Sequence, residues 1–394
     1  MNITENQKKL FENTYALLKQ KFKVHMNNMT NTEPYELIAT SDGRFYDIEK
    51  GCDLTTRWNW TTSFVTGLAP LYYKTTPCED YLTWAKQFQK YYHSKVFYSP
   101  LESMHDMGFL YILYSIAMYS VTNDENHRTD ALKAADELCK RFSIKGRYID
   151  AWSKMDDESE EGRAIVDCMM NISLLLWAWK QTGNIFYREV ADAHADTTLR
   201  YFVRDDDTVA HSFVFDRDTG NMVKESNTCG YSDGSWWARG TAWAVYGFSL
   251  IGEYMNSDKY TSVAKRLGAR YMSELEGKSK IPVWDFRLPQ EMPAKKCSKT
   301  KAEWDETLNE NVCYAVDTSA AAIMSCAFLR NGTDVEKQFA IETIEELCSN
   351  YIDEDVNVPG AMHHQNGNMT YTTFGDYFLA EALNAILYDE KSIW

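Results

Sequence analysis

Two kinds of apolar pattern alternate along the chain. In the first, apolar residues return every third or fourth position with Lys, Glu and Asp between them, the mark of a helix with one wet face. Segments 5–22, 79–92, 127–142, 185–203, 258–275 and 334–351 read this way. The second kind is nearly free of charge. Segments 107–121, 168–179, 240–252 and 318–329 carry none, and 60–73 and 374–388 are similar. A helix that is apolar all round has to be buried on every side, and the frequent Ala, Ser and Gly in these segments suit close helix packing.

Strict alternation of dry and amphipathic helices predicts six helical hairpins, with the dry helices as an inner ring and the wet ones as an outer ring. The expected fold is all-α, an (α/α)6 barrel, because no hairpin can bury its own apolar face without neighbours. No Pro/Gly/Ser-rich linker divides the chain, so residues 1–394 are expected to form a single barrel domain. Segment 205–225, DDDTVAHSFVFDRDTGNMVKE, breaks the helical pattern. It alternates around an Asp-Thr-Gly-Asn turn and predicts a β-hairpin at the barrel mouth.

Charge removes several functions. With 41 Lys plus Arg against 57 Asp plus Glu, the net charge is −16. Such a chain lacks the basic face that a phosphate backbone requires, so nucleic acid is not an expected partner. No stretch approaches the roughly 18 apolar residues of a membrane span, so no membrane is expected either. The opening MNITENQKKLFENTYALLKQKF has no uninterrupted apolar region for a signal peptide. The expectation is a cytoplasmic protein. Nine cysteines occur without CxxC pairing, and Cys139, Cys168, Cys326 and Cys348 sit within apolar helical patterns. Reduced, buried thiols are expected, with no disulfide framework and no metal site. Aromatic residues reach 14%, and flat rings either stack on sugars or fill cores.

In a toroid of this kind the loops that enter the inner helices surround one cavity. Trp58, Trp60, Phe64, His105, Asp106, Asp167, Asp233, Trp237, Arg239, Asp317 and Asp376 all stand there. An Asp just before a helix is first of all an N-cap, and for Asp317 and Asp376 that is the preferred reading. Asp106 and Asp167 keep different company. Asp106 follows His105, and Asp167 lies in the apolar IVDCMMN, where a lone carboxylate has a raised pKa. Two inward carboxylates are usual equipment for acid–base work on a sugar. The densest constellation is GYSDGSWWARGTAW (230–243), where Arg239, read as part of a non-helical loop, can hold a carboxylate or neutralise an acid. At least one of Trp237 and Trp243 is expected to pack the ring closure. Trp60 and Phe64, four residues apart, make either a stacking wall or an inner core pair. His211 is a surface histidine unless its hairpin folds over the cavity.

With these residues in view, the sequence resembles the unsaturated glucuronyl hydrolases of glycoside hydrolase family 88. The resemblance runs through nearly the whole chain. It rests on the order and spacing of WNWTTSF (58–64), MHDMGF (104–109), Ala151-Trp152, IVDCMMN (165–171), His211 with DRDTG (216–220), GYSDGSWWARGTAW (230–243), WDF (284–286), DTSAAAI (317–323) and FGDYFLAEAL (374–383). It implies an (α/α)6 barrel acting on the Δ4,5-unsaturated uronic acid that polysaccharide lyases leave at a non-reducing end. Asp167 would be general acid and base. Asp106 would hold sugar hydroxyls, its charge helping to keep Asp167 protonated. Trp60, Phe64, His105, Trp152, His211, Cys229, Trp237, Arg239 and Trp243 would bind the substrate. The implied partner is an unsaturated oligosaccharide, with no metal and no organic cofactor.

Three departures from the family pattern bear on substrate preference. Cys229-Gly230 replaces Gln-Gly, Gly234 stands within an otherwise Asp-Asp-Ser motif, and Thr241 replaces Gln. Cys cannot replace both hydrogen bonds of the Gln amide. HHQNGNMTYTT (363–373) lacks the Lys of members that favour sulfated fragments, which points away from a sulfate site, with His363 and His364 as remaining donors. Competing readings are an unsaturated rhamnogalacturonyl hydrolase, a sugar epimerase, and a non-catalytic sensor or binder of unsaturated oligosaccharides. Oligomeric state is left open.

Overall fold

A computed structural model describes residues 3–26, 60–156, 162–288, 316–365 and 368–394 of the chain. Trp58 lies outside them. Helix α1 (Glu5–Met26) is an outer helix. The first inner layer, α2 (Thr62–Thr66) and α3 (Leu68–Thr75), is backed by α4 (Glu79–Lys86) and α5 (Gln89–Tyr98). The second inner layer is α6 (Met107–Tyr111), a π-helical turn (Ile112–Ile116) and α7 (Ala117–Thr122), backed by α8 (Glu125–Lys140). Then follow inner α9 (Cys168–Asn171) and α10 (Ser173–Thr182) with outer α11 (Ile185–Tyr201). Inner α12 (Ala238–Met255) pairs with outer α13 (Asp258–Glu274), and inner α14 (Thr318–Asn331) with outer α15 (Asp334–Asn350). Inner α16 (Thr373–Tyr388) comes last and packs on α1.

The inner helices touch in closed succession: α2 on α6, α6 on α9, α9 on α12, α12 on α14, α14 on α16, and α16 back on α2. This is the expected (α/α)6 barrel. The physical basis is plain in α12, where every residue from Ala238 to Gly252 is buried. Apart from Arg239 in its first turn, which has an acidic partner, a charge on that stretch would face neither water nor a ready partner. Outer helices use their wet face and their caps instead. Thr333 and Glu336 form a reciprocal capping box at the start of α15, an arrangement in which losing the cap residue costs about 1 kcal/mol. Cys139, Cys168, Cys326 and Cys348 are buried and unbridged.

The structure refines the sequence reading in two respects. The inner segment 60–73 is interrupted at Gly67, and 168–179 is interrupted at Ile172. The expected hairpin is present as strands Ser212–Phe215 and Met222–Ser226, turning at Gly220, whose φ of +76° favours glycine. It is not isolated, however. Gly162–Ile165 pairs with the first of these strands to make a three-stranded sheet, and residues 205–211 lie outside it. Two further antiparallel pairs, Phe142–Ser143 with Tyr148–Ile149 and His363–Gln365 with Asn368–Tyr371, were not expected. Clefts of about 340 and 310 Å³ open at the C-terminal ends of the inner helices, lined by Ser249, Glu253 and Asn331 and by Arg330, Glu381 and Lys391. Both lie away from the residues singled out above. Among the described residues no helix is long and apolar enough to cross a membrane.

Candidate active site

The N-terminal ends of α6, α9, α12, α14 and α16 converge, and the candidate residues stand at those ends. Asp106 precedes α6 and Asp167 precedes α9, yet neither side chain makes a capping hydrogen bond. The two helices are held together by Asn171. Its Nδ2 donates to Asp106 Oδ1 at 3.3 Å and to the Asp167 carbonyl at 3.2 Å, while its Oδ1 accepts the Phe109 N–H at 2.7 Å. Gly108 permits this approach, because a Cβ there would lie 2.3 Å from the Asn171 Cα.

The two acids therefore share one corner of the barrel, and both bind protons more tightly than an ordinary aspartate. Burial pushes Asp106 well up, and the charge of Asp167 pushes it further, against the Asn171 hydrogen bond and the charges of Arg141 and Lys95. Burial raises Asp167 to about 6, with Arg239 pulling it back. Burial thus favours the neutral form of each acid, and two charges in one corner repel, so the pair resists losing both protons. Asp167 retains accessible surface, but its Oδ2 is enclosed with no hydrogen-bond partner in the protein. Beside them, His105 donates its backbone N–H to Ala151 and sets Nε2 at 3.5 Å from Asp106 Oδ2. Burial holds its pKa well below the usual value, so the ring is neutral.

Rings form a continuous wall around this pair. Trp152 lies 6.4 Å from His211, and His211 meets Trp237 edge-on at 5.1 Å. The Arg239 guanidinium lies 4.7 Å from the Trp237 ring centre and 5.2 Å from that of Phe374. Phe374 stacks on Trp60 at 5.5 Å, and Trp60 reaches Phe109 at 5.6 Å. His211 is buried, so its hairpin does fold inward, and burial lowers its pKa to about 3. The Thr228 N–H donates to His211 Nδ1, which leaves Nε2 as the protonated nitrogen of the neutral ring. Cys229, next in the chain, is partly exposed.

Several expectations change at this point. Phe64 and Trp243 are 0% exposed, packed among Phe109, Tyr377 and Phe378, so they back the wall and present no ring face to a ligand. Arg239 belongs to the first turn of α12, not to a loop. It pairs with Asp317, the N-cap of α14, and also reaches Ser319 Oγ at 3.3 Å. Asp317 is thus a cap, as expected, and an ion-pair partner as well. Asp376 is not a cap: Thr372 caps α16, while the Asp376 carboxylate accepts the N–H groups of Ala361 and Met362 at 3.0 and 2.8 Å. Asp233 accepts the Asn227 N–H and organises its loop. The Thr241 hydroxyl accepts the Trp236 Nε1–H at 2.7 Å and donates to the Trp237 carbonyl. His364 lies buried with Nδ1 at 4.0 Å from Asp317 Oδ1, and His363 packs on Tyr371.

Three contributors escaped the sequence reading. Asn171 carried a signal, being a lone amide four residues after Asp167 in an apolar helix. Phe374 carried one too, just inside an inner helix. Asp285 gave little, although it anchors the aromatic loop: its two oxygens accept from Tyr231 N, Ser235 Oγ, Trp236 N and Arg287 N at 2.6–3.1 Å. Among the described residues, no three His, Cys, Asp or Glu side chains are grouped so as to hold a metal ion.

A closed helical barrel with two proton-retaining acids inside a ring-lined pocket is the framework of a glycosidase. The chain belongs to glycosyl hydrolase family 88, whose model matches residues 28–272. It is 32% identical over 360 residues to the unsaturated glucuronyl hydrolase of Bacillus sp. (strain GL1), covering 86% of this chain and 90% of that protein. It is 27% identical to an unsaturated chondroitin disaccharide hydrolase of Streptococcus pyogenes serotype M1, covering 94% and 90%. The solved structure of an unsaturated glucuronyl hydrolase from Bacillus sp. GL1, described as responsible for the degradation of glycosaminoglycan, superposes with a TM-score of 0.79. Its identity is 29%, and the match covers 95% of this chain and 96% of that one.

Proposed function

We propose that this enzyme removes the Δ4,5-unsaturated uronic acid from the non-reducing end of lyase-generated oligosaccharides by hydrating the vinyl ether. Asp167 donates its proton to C4 and takes one from the water that adds at C5, so it ends each cycle as it began. The hemiketal at C5 opens, the glycosidic oxygen departs with the remaining sugar, and a linear keto acid is left. The C1–O bond breaks by collapse of the hemiacetal that ring opening leaves, and no nucleophile attacks the anomeric carbon, so the carboxylate-separation rule for retaining and inverting glycosidases does not apply. Asp106, its pKa raised by burial, presents both a donor and an acceptor to neighbouring sugar hydroxyls when protonated.

The observation that carries this reading is the enclosed, unpartnered Oδ2 of Asp167 beside Asp106 and within the ring wall. Folding has no use for such a group, whereas proton transfer requires one. The names of the relatives support the substrate class. Trp60 and Trp152 supply flat faces, Trp237 supports Arg239 and His211 from behind, and His211 supplies a neutral donor. The converging helix ends favour the substrate carboxylate through their partial positive charge, supplementing an Arg239 already paired with Asp317.

The test follows the ultraviolet absorbance of the conjugated double bond with unsaturated chondroitin, hyaluronan, heparin and gellan fragments. Absorbance is expected to fall with at least one of them. A flat trace with all of them, together with consumption of an unsaturated rhamnogalacturonan fragment, would transfer the chain to the rhamnogalacturonyl activity. Tight binding without any turnover would make it a sensor.

A further inference from the structure

We propose that Asn171 is a positioning residue that caps the Asp106 helix from outside and thereby leaves the Asp106 carboxylate unspent for the reaction. An N-cap aspartate ordinarily accepts the N–H of the second or third helical residue. For Asp106 the third residue is Phe109. That N–H goes instead to Asn171 Oδ1, at 2.7 Å, across 62 positions of sequence. The other end of the same amide donates to Asp106 Oδ1 and to the carbonyl of Asp167. One buried side chain therefore satisfies the helix terminus, orients the first acid and ties it to the backbone of the second. Asn171 is 0% exposed, and α6 comes close enough for this only because residue 108 is glycine.

The chemistry requires an amide. A carboxylate at 171 could accept from Phe109 but could not donate to Asp106. An apolar side chain could do neither, and the orphaned N–H would draw the Asp106 carboxylate into the capping position, turned away from Asp167. The groups facing Asp106 across this corner are Asp167, His105, Cys168, Arg141 and Lys95, with Arg239 acting on Asp167. None of them replaces the amide.

The inference rests on Asp106 and Asp167 as the reacting pair, and its test separates the two ideas. Asn171→Leu and Asn171→Asp are compared with the wild type by turnover, thermal melting and carboxyl-carbon NMR of Asp106 across pH. In Asn171→Leu the amide donor to Asp106 is lost, but the freed Phe109 N–H and the partial positive charge of the helix start more than replace it on the carboxylate, so its titration moves down by about one pH unit. In Asn171→Asp the cap survives while a donor is lost and a negative charge gained, so the titration moves up by a similar amount. In both, kcat falls about 100-fold while KM changes by less than about threefold. Opposed titration shifts are the expected result, and a role in packing alone would not produce them. Shifts in one direction, or an unmoved Asp106, would overturn the proposal. Should Asn171→Leu fail to fold, the upward shift in Asn171→Asp decides. If the wild type consumes no unsaturated uronide, the reaction assignment fails while the NMR shifts still decide the capping.

Discussion

The barrel buries acids at two depths and treats them differently. Near the N-terminal ends of the inner helices, Asp167 keeps an enclosed oxygen with no partner. Two turns further along the axis, Glu381 is more thoroughly buried, 3% exposed among apolar neighbours. Its oxygens accept the Tyr246 hydroxyl at 2.9 Å and the Trp394 Nε1–H at 3.0 Å, with the Arg330 charge nearby. Burial raises the pKa of both acids. What separates them is the partner set. Glu381 completes a network that fixes Trp394 against Phe378, whereas Asp167 Oδ2 has no partner within the protein. A buried acid in an apolar helix is therefore no sign of catalysis by itself; a buried carboxylate oxygen that folding leaves unpaired is the informative feature, and among the described residues Asp167 Oδ2 is the one such atom.

That contrast can be broken most decisively at Asp167. Asp167→Asn is expected to lower turnover by about 10³-fold, with melting unchanged or slightly raised, because a buried charge is removed. Activity within tenfold of wild type in the absorbance assay would erase the distinction. Glu381→Leu should show the converse. Denaturant unfolding loses about 1–3 kcal/mol as the Trp394 N–H is orphaned, while kcat per folded molecule stays unchanged.

The pH dependence sharpens the comparison further. Asp167 titrates at about 6 in the folded protein and near 3.9 when unfolded. The folded state thus binds the proton more tightly, and stability falls as pH rises from about 4 to about 6. Turnover that depends on the protonated acid should fall as pH rises through about 6, and a rising limb there would reverse the assigned role. The smallest expected effect belongs to Arg239→Gln. Loss of the cation removes the pull on Asp167, so the descending limb moves up by roughly half a pH unit. A downward move would show that the Arg239 charge does not reach the acid.

The ring of helices was legible because each inner segment is nearly free of charge over three or more turns, and only burial on every side accommodates that. The pairing of Asp106 with Asp167 was legible from the same ring, since helix starts converge. Other features left no local trace. Strands such as Phe142–Ser143 and Tyr148–Ile149 span two residues each, too short to show a period. Asp285 and Asn171 act on backbone groups some fifty and sixty positions away, at distances that only the fold defines. Phe64 and Trp243 read like any aromatics near an inner helix start, and only packing shows which rings stand in front and which behind. For Asp376, the residues around a helix start look the same whether its carboxylate caps that helix or clamps a neighbouring loop.

The meeting of helix starts at one mouth has a consequence for encounter with the substrate. The chain carries −16 overall, so an anionic uronide approaches against a repulsive far field and is welcomed only at contact range by backbone dipoles. Dissolved salt shortens the reach of the repulsion to about 8 Å at physiological strength and hardly touches the dipoles inside the pocket. Added salt should therefore speed productive collisions, giving a kcat/KM that climbs with ionic strength where a cationic enzyme acting on the same sugar would decline.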